Sequence, residues 1–168
     1  MNNPFLHNYH SHTKRCGHAV GEDRDYVLAA IKAGFKTLGF SDHVILPGVD
    51  QPRMRAHFDR LEEYISSVRS LQEEFKDQID IKLGFECEFL HGHFDEYYHE
   101  LLDKYGFDYL ILGQHCFYDF TYGDMRWYDD LPTKQAMLNH YLYDVVTGME
   151  SGLFSYFAHP DFFWVHQS

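Results

Sequence analysis

Asn8-Tyr9-His10-Ser11-His12-Thr13, continued by Lys14-Arg15-Cys16-Gly17-His18, is the stretch from which the rest of the chain is read. His10, His12 and His18 lie close together, and the first two are spaced i, i+2. On a β-strand that spacing sends both side chains to one face, so two imidazoles can converge on one point. Imidazole is a common ligand for zinc, iron and other transition metals. The expectation is a metal-dependent hydrolase whose first ligands sit here. The competing reading is a solvated polar turn after a short strand.

A chain of 168 residues fits one domain with an ordinary core. It contains no apolar run of the ~18 residues that a membrane span needs. No basic-then-apolar segment opens it, so a cytoplasmic location is expected, with no membrane partner. Lys and Arg total 14 against 26 Asp and Glu, a formal charge of −12. That balance argues against binding nucleic acid by charge alone. It leaves room for an anionic substrate, because bound cations can dominate a site's local field. Cys16, Cys87 and Cys116 form neither a CxxC pair nor a disulfide framework, and they read as small, partly buried thiols. Histidine is unusually frequent at 13, and 13 Tyr with 15 Phe suit an aromatic-walled pocket or deep core.

Outward from the opening motif, residues 4–10 read as a first strand and 23–34 as a helix with acidic residues in its first turn and Gly34 as its stop. A second strand, 37–40, runs into Ser41-Asp42-His43; a Pro/Gly loop follows and ends in Arg53-Met54-Arg55. Residues 57–75 carry a 3.6-residue apolar period through Phe58, Leu61, Ile65, Val68 and Leu71. A third strand, 79–85, ends in Glu86, and a histidine-bearing loop with His91-Gly92-His93 precedes a helix at 96–105. The fourth strand, 109–113, ends in Gln114-His115. Residues 117–132 read as an irregular aromatic lid. A helix capped by Thr133 leads to a fifth strand, 154–158, which ends in His159-Pro160-Asp161. His7, His57, His99 and His140 read as surface or satisfied core residues.

The order is β-α five times, with the crossovers that parallel strands require. Each strand delivers a metal-type side chain at its C-terminal end: His10 and His12, His43, Glu86, His115 and His159. That is the end at which β/α barrels build their sites.

These residues resemble the PHP (polymerase and histidinol phosphatase) superfamily, and most of all its stand-alone histidinol-phosphate phosphatases. The matching pieces are His10-x-His12, His18, Ser41-Asp42-His43, Gly84-x-Glu86, His115 and His159-Pro160-Asp161. The resemblance implies an α/β fold, a distorted (β/α)7 TIM-like barrel of PHP type, of which about the first five β/α units are present. It also implies a trinuclear metal site. His10, His12 and Glu86 would bind the first metal, and Glu86 would bridge to a second held by His115 and His159. His18 and His43 would hold the third. Nitrogen-rich ligation favours Zn, Fe or Mn, so two or three divalent transition metal ions are expected. The family pattern ends in an Asp-x-His that has no match after His159; His166 is the remaining candidate ligand. The reading is therefore a PHP domain over 1–168 that lacks the C-terminal strands, its open barrel edges covered by a missing segment or an oligomer partner.

The implied activity is hydrolysis of L-histidinol phosphate, a small-molecule phosphate ester, in histidine biosynthesis. A metal-bound hydroxide would attack while clustered ions neutralise the phosphoryl oxygens and support the leaving alkoxide. Arg15, Arg53 and Arg55 are candidates for gripping the phosphate. Asp42 and Asp161, beside proposed ligands, would orient histidines. The alternatives are another PHP phosphoesterase, such as a phosphotyrosine phosphatase or a 3′-exonuclease, and a catalytically incomplete metal-binding fragment.

Overall fold

Apolar runs too short for helices alternate with amphipathic helices, and the chain builds parallel strands from the former. A computed structural model describes residues 6–161; residues 4–5 of the expected first strand, and His166, lie outside the described residues. The strands are β1 (His7–Asn8), β2 (Thr37–Phe40), β3 (Asp80–Cys87), β4 (Tyr109–Leu112), β5 (Cys116–Asp119), β6 (Asp124–Trp127) and β7 (Tyr156–Phe157). The helices are α1 (Asp23–Ala33), α2 (Leu61–Phe75), α3 (Asp95–Asp103) and α4 (Lys134–Glu150). The chain divides into two compact units, one of residues up to Glu86 with Phe107–Tyr109, the other of Cys87–Gly106 with residues from Leu110 onward.

In the first unit β1, β2 and β3 are parallel, with His7 opposite Thr37 and residues 37–40 opposite 80–83. The β2–β3 pairing continues past the strand end: Glu86 N–H donates to Asp42 O (3.0 Å) and Val44 N–H to Glu86 O (2.8 Å). This continuation sets His43 beside Glu86. Residues 83–87 of β3 are all buried, as in a parallel strand covered on both faces. Helix α1 starts with a capping box between Glu22 and Asp25 and ends at Gly34, whose left-handed backbone (φ 81°) returns its N–H to the last turn. Helix α2 buries Leu61, Tyr64, Ile65, Val68, Leu71 and Phe75, and a 3-10 turn replaces the helix expected at 58–60. Tyr64 stacks on Phe85 at 4.8 Å and donates to Gly84 O (2.9 Å).

Tyr109 closes this unit. Its hydroxyl is shared between the carbonyls of Tyr9 (2.8 Å) and Phe40 (3.0 Å). The ring occupies space that only glycine leaves on two strands: a Cβ on Gly84 would lie 2.5 Å from Tyr109 Cε1, and one on Gly39 would overlap the hydroxyl.

In the second unit β4 and β7 are parallel, Ile111 opposite Tyr156 and Leu112 opposite Phe157. The stretch 117–132, expected to be irregular, contains a hairpin: β5 and β6 pair antiparallel from Cys116–Trp127 to Asp119–Asp124, and a 3-10 turn follows at Tyr128–Asp130. The expectation missed it because the exposed tip, Phe120-Thr121-Tyr122-Gly123, interrupts the alternation of the two strands. Thr133 caps α4 as expected, its hydroxyl accepting from Ala136 N–H (3.1 Å). Phe117, Tyr128, Met137, Tyr141 and Val145 form a core between hairpin and helix. Among the described residues no helix is long and apolar enough to cross a membrane.

Gly84→Ala should therefore lower stability by about 1–3 kcal/mol through overpacking against the Tyr109 ring. Tyr109→Phe, which keeps the ring, should cost about 1 kcal/mol. Urea denaturation of both variants beside the parent checks the difference.

Candidate metal centre

The strand expected to reach His10 stops at Asn8, yet the two histidines still converge. Asn8 Oδ1 accepts from the His10 N–H (3.0 Å), turning the chain at once. Ser11 then holds the motif against the end of β2. Its N–H donates to Ser41 Oγ (2.9 Å), its hydroxyl to Gly39 O (2.8 Å), and its carbonyl accepts from Ser41 N–H (3.2 Å). Side-chain hydrogen bonds thus stand in for a sheet ladder. His10 and His12 remain one residue either side of an anchored serine, both aimed at Glu86.

Glu86 is 1% exposed, and its Oε2 is the point on which the imidazoles close. His12 Nε2 lies 3.1 Å from it, His10 Nε2 3.2 Å and His43 Nδ1 3.5 Å. The Nε2 atoms of His10 and His12 are 3.1 Å apart. With ligand bonds of about 2.0–2.2 Å, donors at the corners of a tetrahedron stand roughly 3.3–3.6 Å apart. The observed separations, 3.1–3.5 Å, run from slightly below that range into it, and a mixed imidazole and carboxylate set suits zinc, iron or manganese. Holding a carboxylate away from water is costly without a compensating cation. His10, His12 and Glu86 therefore fit one divalent ion. The rings of His18 and His43 lie 5.2 Å apart, and His12, Cys16 and His18 form a second group able to hold a metal.

Asp42 ties down the segment that carries these ligands. Buried at the end of β2, it accepts from Thr13 N–H (2.5 Å), the Thr13 hydroxyl (2.7 Å) and the Cys16 thiol (3.1 Å). Cys16 Sγ in turn accepts from the His43 N–H (3.2 Å). Burial, then the charge of Asp42, pushes the Cys16 thiol well up. Asp42 thus acts through the loop between His12 and His18 and through Cys16.

In the second unit His115 Nδ1 is 2.9 Å from Oε1 of Glu88, a fully buried carboxylate that the sequence reading passed over. The His115 and His159 rings are 4.9 Å apart. His159 holds a left-handed backbone (φ 34°) directly before Pro160, a strained conformation for a non-glycine residue and one that recurs at functional sites. Asp161 is exposed and makes no hydrogen bond to a histidine among the described residues.

The arginines divide. Arg15 donates to Asp23 and to Glu63 (2.7 Å) and lies over the Tyr64 ring, bracing the loop against α1 and α2. Arg55 is 1% exposed, donating from Nε to Gln51 Oε1 (2.8 Å) and from Nη1 to Val44 O (2.8 Å). The sequence makes both candidates for gripping phosphate, and in the structure neighbouring acceptors engage them. Arg53 is exposed.

Asp42→Asn keeps the shape but loses the charge and one acceptor oxygen. It should lower stability by about 1–3 kcal/mol. It should also weaken metal binding by roughly 10–100-fold, as expected of a group that positions ligands. Denaturation with and without added zinc, and metal titration of the variant, separate the two effects.

The PHP domain profile matches residues 8–166. The chain is 30% identical over 154 residues to a Deinococcus radiodurans protein named "Probable histidinol-phosphatase", covering 90% of this chain and 59% of that one. It is 29% identical over 164 residues to the histidinol-phosphatase of Lactococcus lactis, covering 92% of this chain and 56% of the relative. The crystal structure of histidinol phosphate phosphatase from Lactococcus lactis, complexed with zinc, L-histidinol and phosphate, superposes with a TM-score of 0.65 at 26% identity, over 94% of this chain and 59% of that one. The chain thus spans somewhat more than half the length of these relatives. An α/β chain of this topology, with its histidines and Glu86 converging at the strand ends and the profile matched along nearly its whole length, belongs to the PHP domain family.

Proposed function

We propose that the chain serves a metal-dependent phosphomonoesterase acting on L-histidinol phosphate. The observation that carries this reading is the closure of His10, His12 and His43 on the buried Oε2 of Glu86. The likeness to histidinol-phosphatases supports the choice of substrate, since the related Lactococcus enzyme was crystallised with L-histidinol and phosphate.

In this reading His10, His12 and Glu86 hold one divalent ion, Zn, Fe or Mn, and His18 with His43 hold another. His115 and His159 serve a further ion, with Glu88 fixing the His115 ring. When bound, such ions lower the pKa of a coordinated water toward ~7 and neutralise phosphoryl oxygens. The protein's own part is positioning. Ser11 and Asp42 hold the histidine-bearing loop, and the pairing of Glu86 with the 42–44 segment fixes the carboxylate from behind. Arg53, the exposed one of the three arginines, is the candidate for meeting the substrate phosphate.

The test is hydrolysis by the purified chain. Turnover of L-histidinol phosphate should exceed that of p-nitrophenyl phosphate, phosphotyrosine and a single-stranded oligonucleotide. A chelator should abolish it, and Zn, Mn or Fe should restore it. Glu86→Gln should reduce both bound metal and kcat/KM, the latter by roughly 100-fold or more. A chain that binds metal yet hydrolyses none of these compounds would make it a metal-binding module; preference for phosphotyrosine or the oligonucleotide would reassign the substrate.

A further inference from the structure

A second cluster of ligand-type side chains lies wholly within the second unit, and none of its members belongs to the site described above. His140 and Asp144 stand one turn apart on α4, so both project from one face of the helix. Spacing of i, i+4 is also how a single helix offers two ligands to zinc. The third member, His91, comes from the loop after β3. Its backbone is left-handed (φ 48°), and its ring stacks on Tyr143 at 4.7 Å with an interplanar angle of 18°. Backbone strain of this kind persists where the surroundings over-determine it.

We propose that His91 Nε2, His140 Nε2 and the Asp144 carboxylate form a zinc-type metal site separate from the Glu86 centre. Asp144 is fully buried. Its Oδ1 accepts from His91 Nε2 and its Oδ2 from the Tyr128 hydroxyl. Gln114 Nε2 donates to the same hydroxyl (2.9 Å), which fixes Tyr128 and through it the carboxylate plane. His140 is the member that hydrogen bonding leaves over. Its Nε2 is buried with no hydrogen-bond partner among the described residues, and it faces Asp144 Oδ2 at 3.6 Å.

That separation is too long for a hydrogen bond. It is close to the roughly 3.3–3.6 Å between two donors sharing a tetrahedral ion. The His140 ring is held by Phe117 at 4.3 Å, so it points at Asp144 by packing. One ligand atom from each of the three residues lies within 4.8 Å of the others. A purely structural histidine–aspartate network would account for His91 and Tyr128. It leaves the buried nitrogen of His140 with only a long ion-pair contact to Asp144. Two imidazoles and a carboxylate supply the three protein ligands with which a zinc ion can be held. Burial pushes the Asp144 carboxyl up, and a bound cation would offset the same cost of holding it ionised.

The test uses the untagged full chain, dialysed against a fixed free zinc concentration and analysed for zinc per chain. His140→Gln and His91→Gln should each hold one equivalent fewer than the parent. Each should also lose part of the zinc-dependent rise in melting temperature. Glu86→Gln, which strikes the other centre, should keep the portion that these two variants lose. His140 lies half-buried on a helix face, so its variant should unfold cooperatively and remain a fair comparison if the His91 variant does not fold. Equal zinc content in the parent and the folded variants overturns the proposal.

Discussion

A carboxylate buried among imidazoles is the constraint from which the first unit is built. Glu86 is 1% exposed on a strand covered on both faces, where an isolated anion would be neutralised by proton uptake. Three ring nitrogens within 3.5 Å of one of its oxygens make this a place for positive charge. The local architecture follows from holding those rings still. Ser11 and Ser41 exchange hydrogen bonds in place of a ladder, Asp42 gathers three donors from the loop between His12 and His18, and the β2–β3 pairing runs on to Glu86 itself. The Ser11, Thr13, Ser41 and Asp42 groups are satisfied by one another, so the apolar core around Phe85 and Tyr64 needs to supply shape more than polar partners to them.

Much of this was legible in the sequence because it is written in short-range patterns. Alternating strands and helices, the Gly34 stop, the Thr133 cap and the metal-type residue after each parallel strand all depend on neighbours a few positions apart. What escaped depends on distant partners. Arg15 lies on a loop at the expected end of its strand, but nothing local revealed that Glu63, 48 positions on, would engage it. Glu88 carried a usable signal, standing two residues beyond Glu86 with the same spacing that drew attention to His10 and His12.

The α4 cluster shows the same division. His140, read from the sequence as a surface or satisfied core residue, stands four positions before Asp144 on α4, whereas His91 joins them from 53 positions before Asp144. A loop histidine beside Gly92 reads as solvated until a strained backbone and a stacked Tyr143 ring give it a direction. The hairpin formed by β5 and β6 was hidden for another reason: its tip at 120–123 is exposed and breaks the alternation that would have announced two strands.

Tyr109 gives the first unit an order of assembly. Its hydroxyl sits 2.8 Å from a carbonyl 100 residues earlier, Tyr9, which immediately precedes the first histidine of the motif, and 3.0 Å from Phe40 at the end of β2. Contacts of such long sequence separation form late, because the intervening chain must be closed first. During synthesis the opening motif leaves the ribosome long before the residue that fixes the backbone beside it. The nascent chain therefore carries its earliest histidines held only through Ser11 and Thr13 to the end of β2 until β4 arrives, and a ribosome stalled before residue 109 would hold a histidine motif that lacks this last backbone anchor.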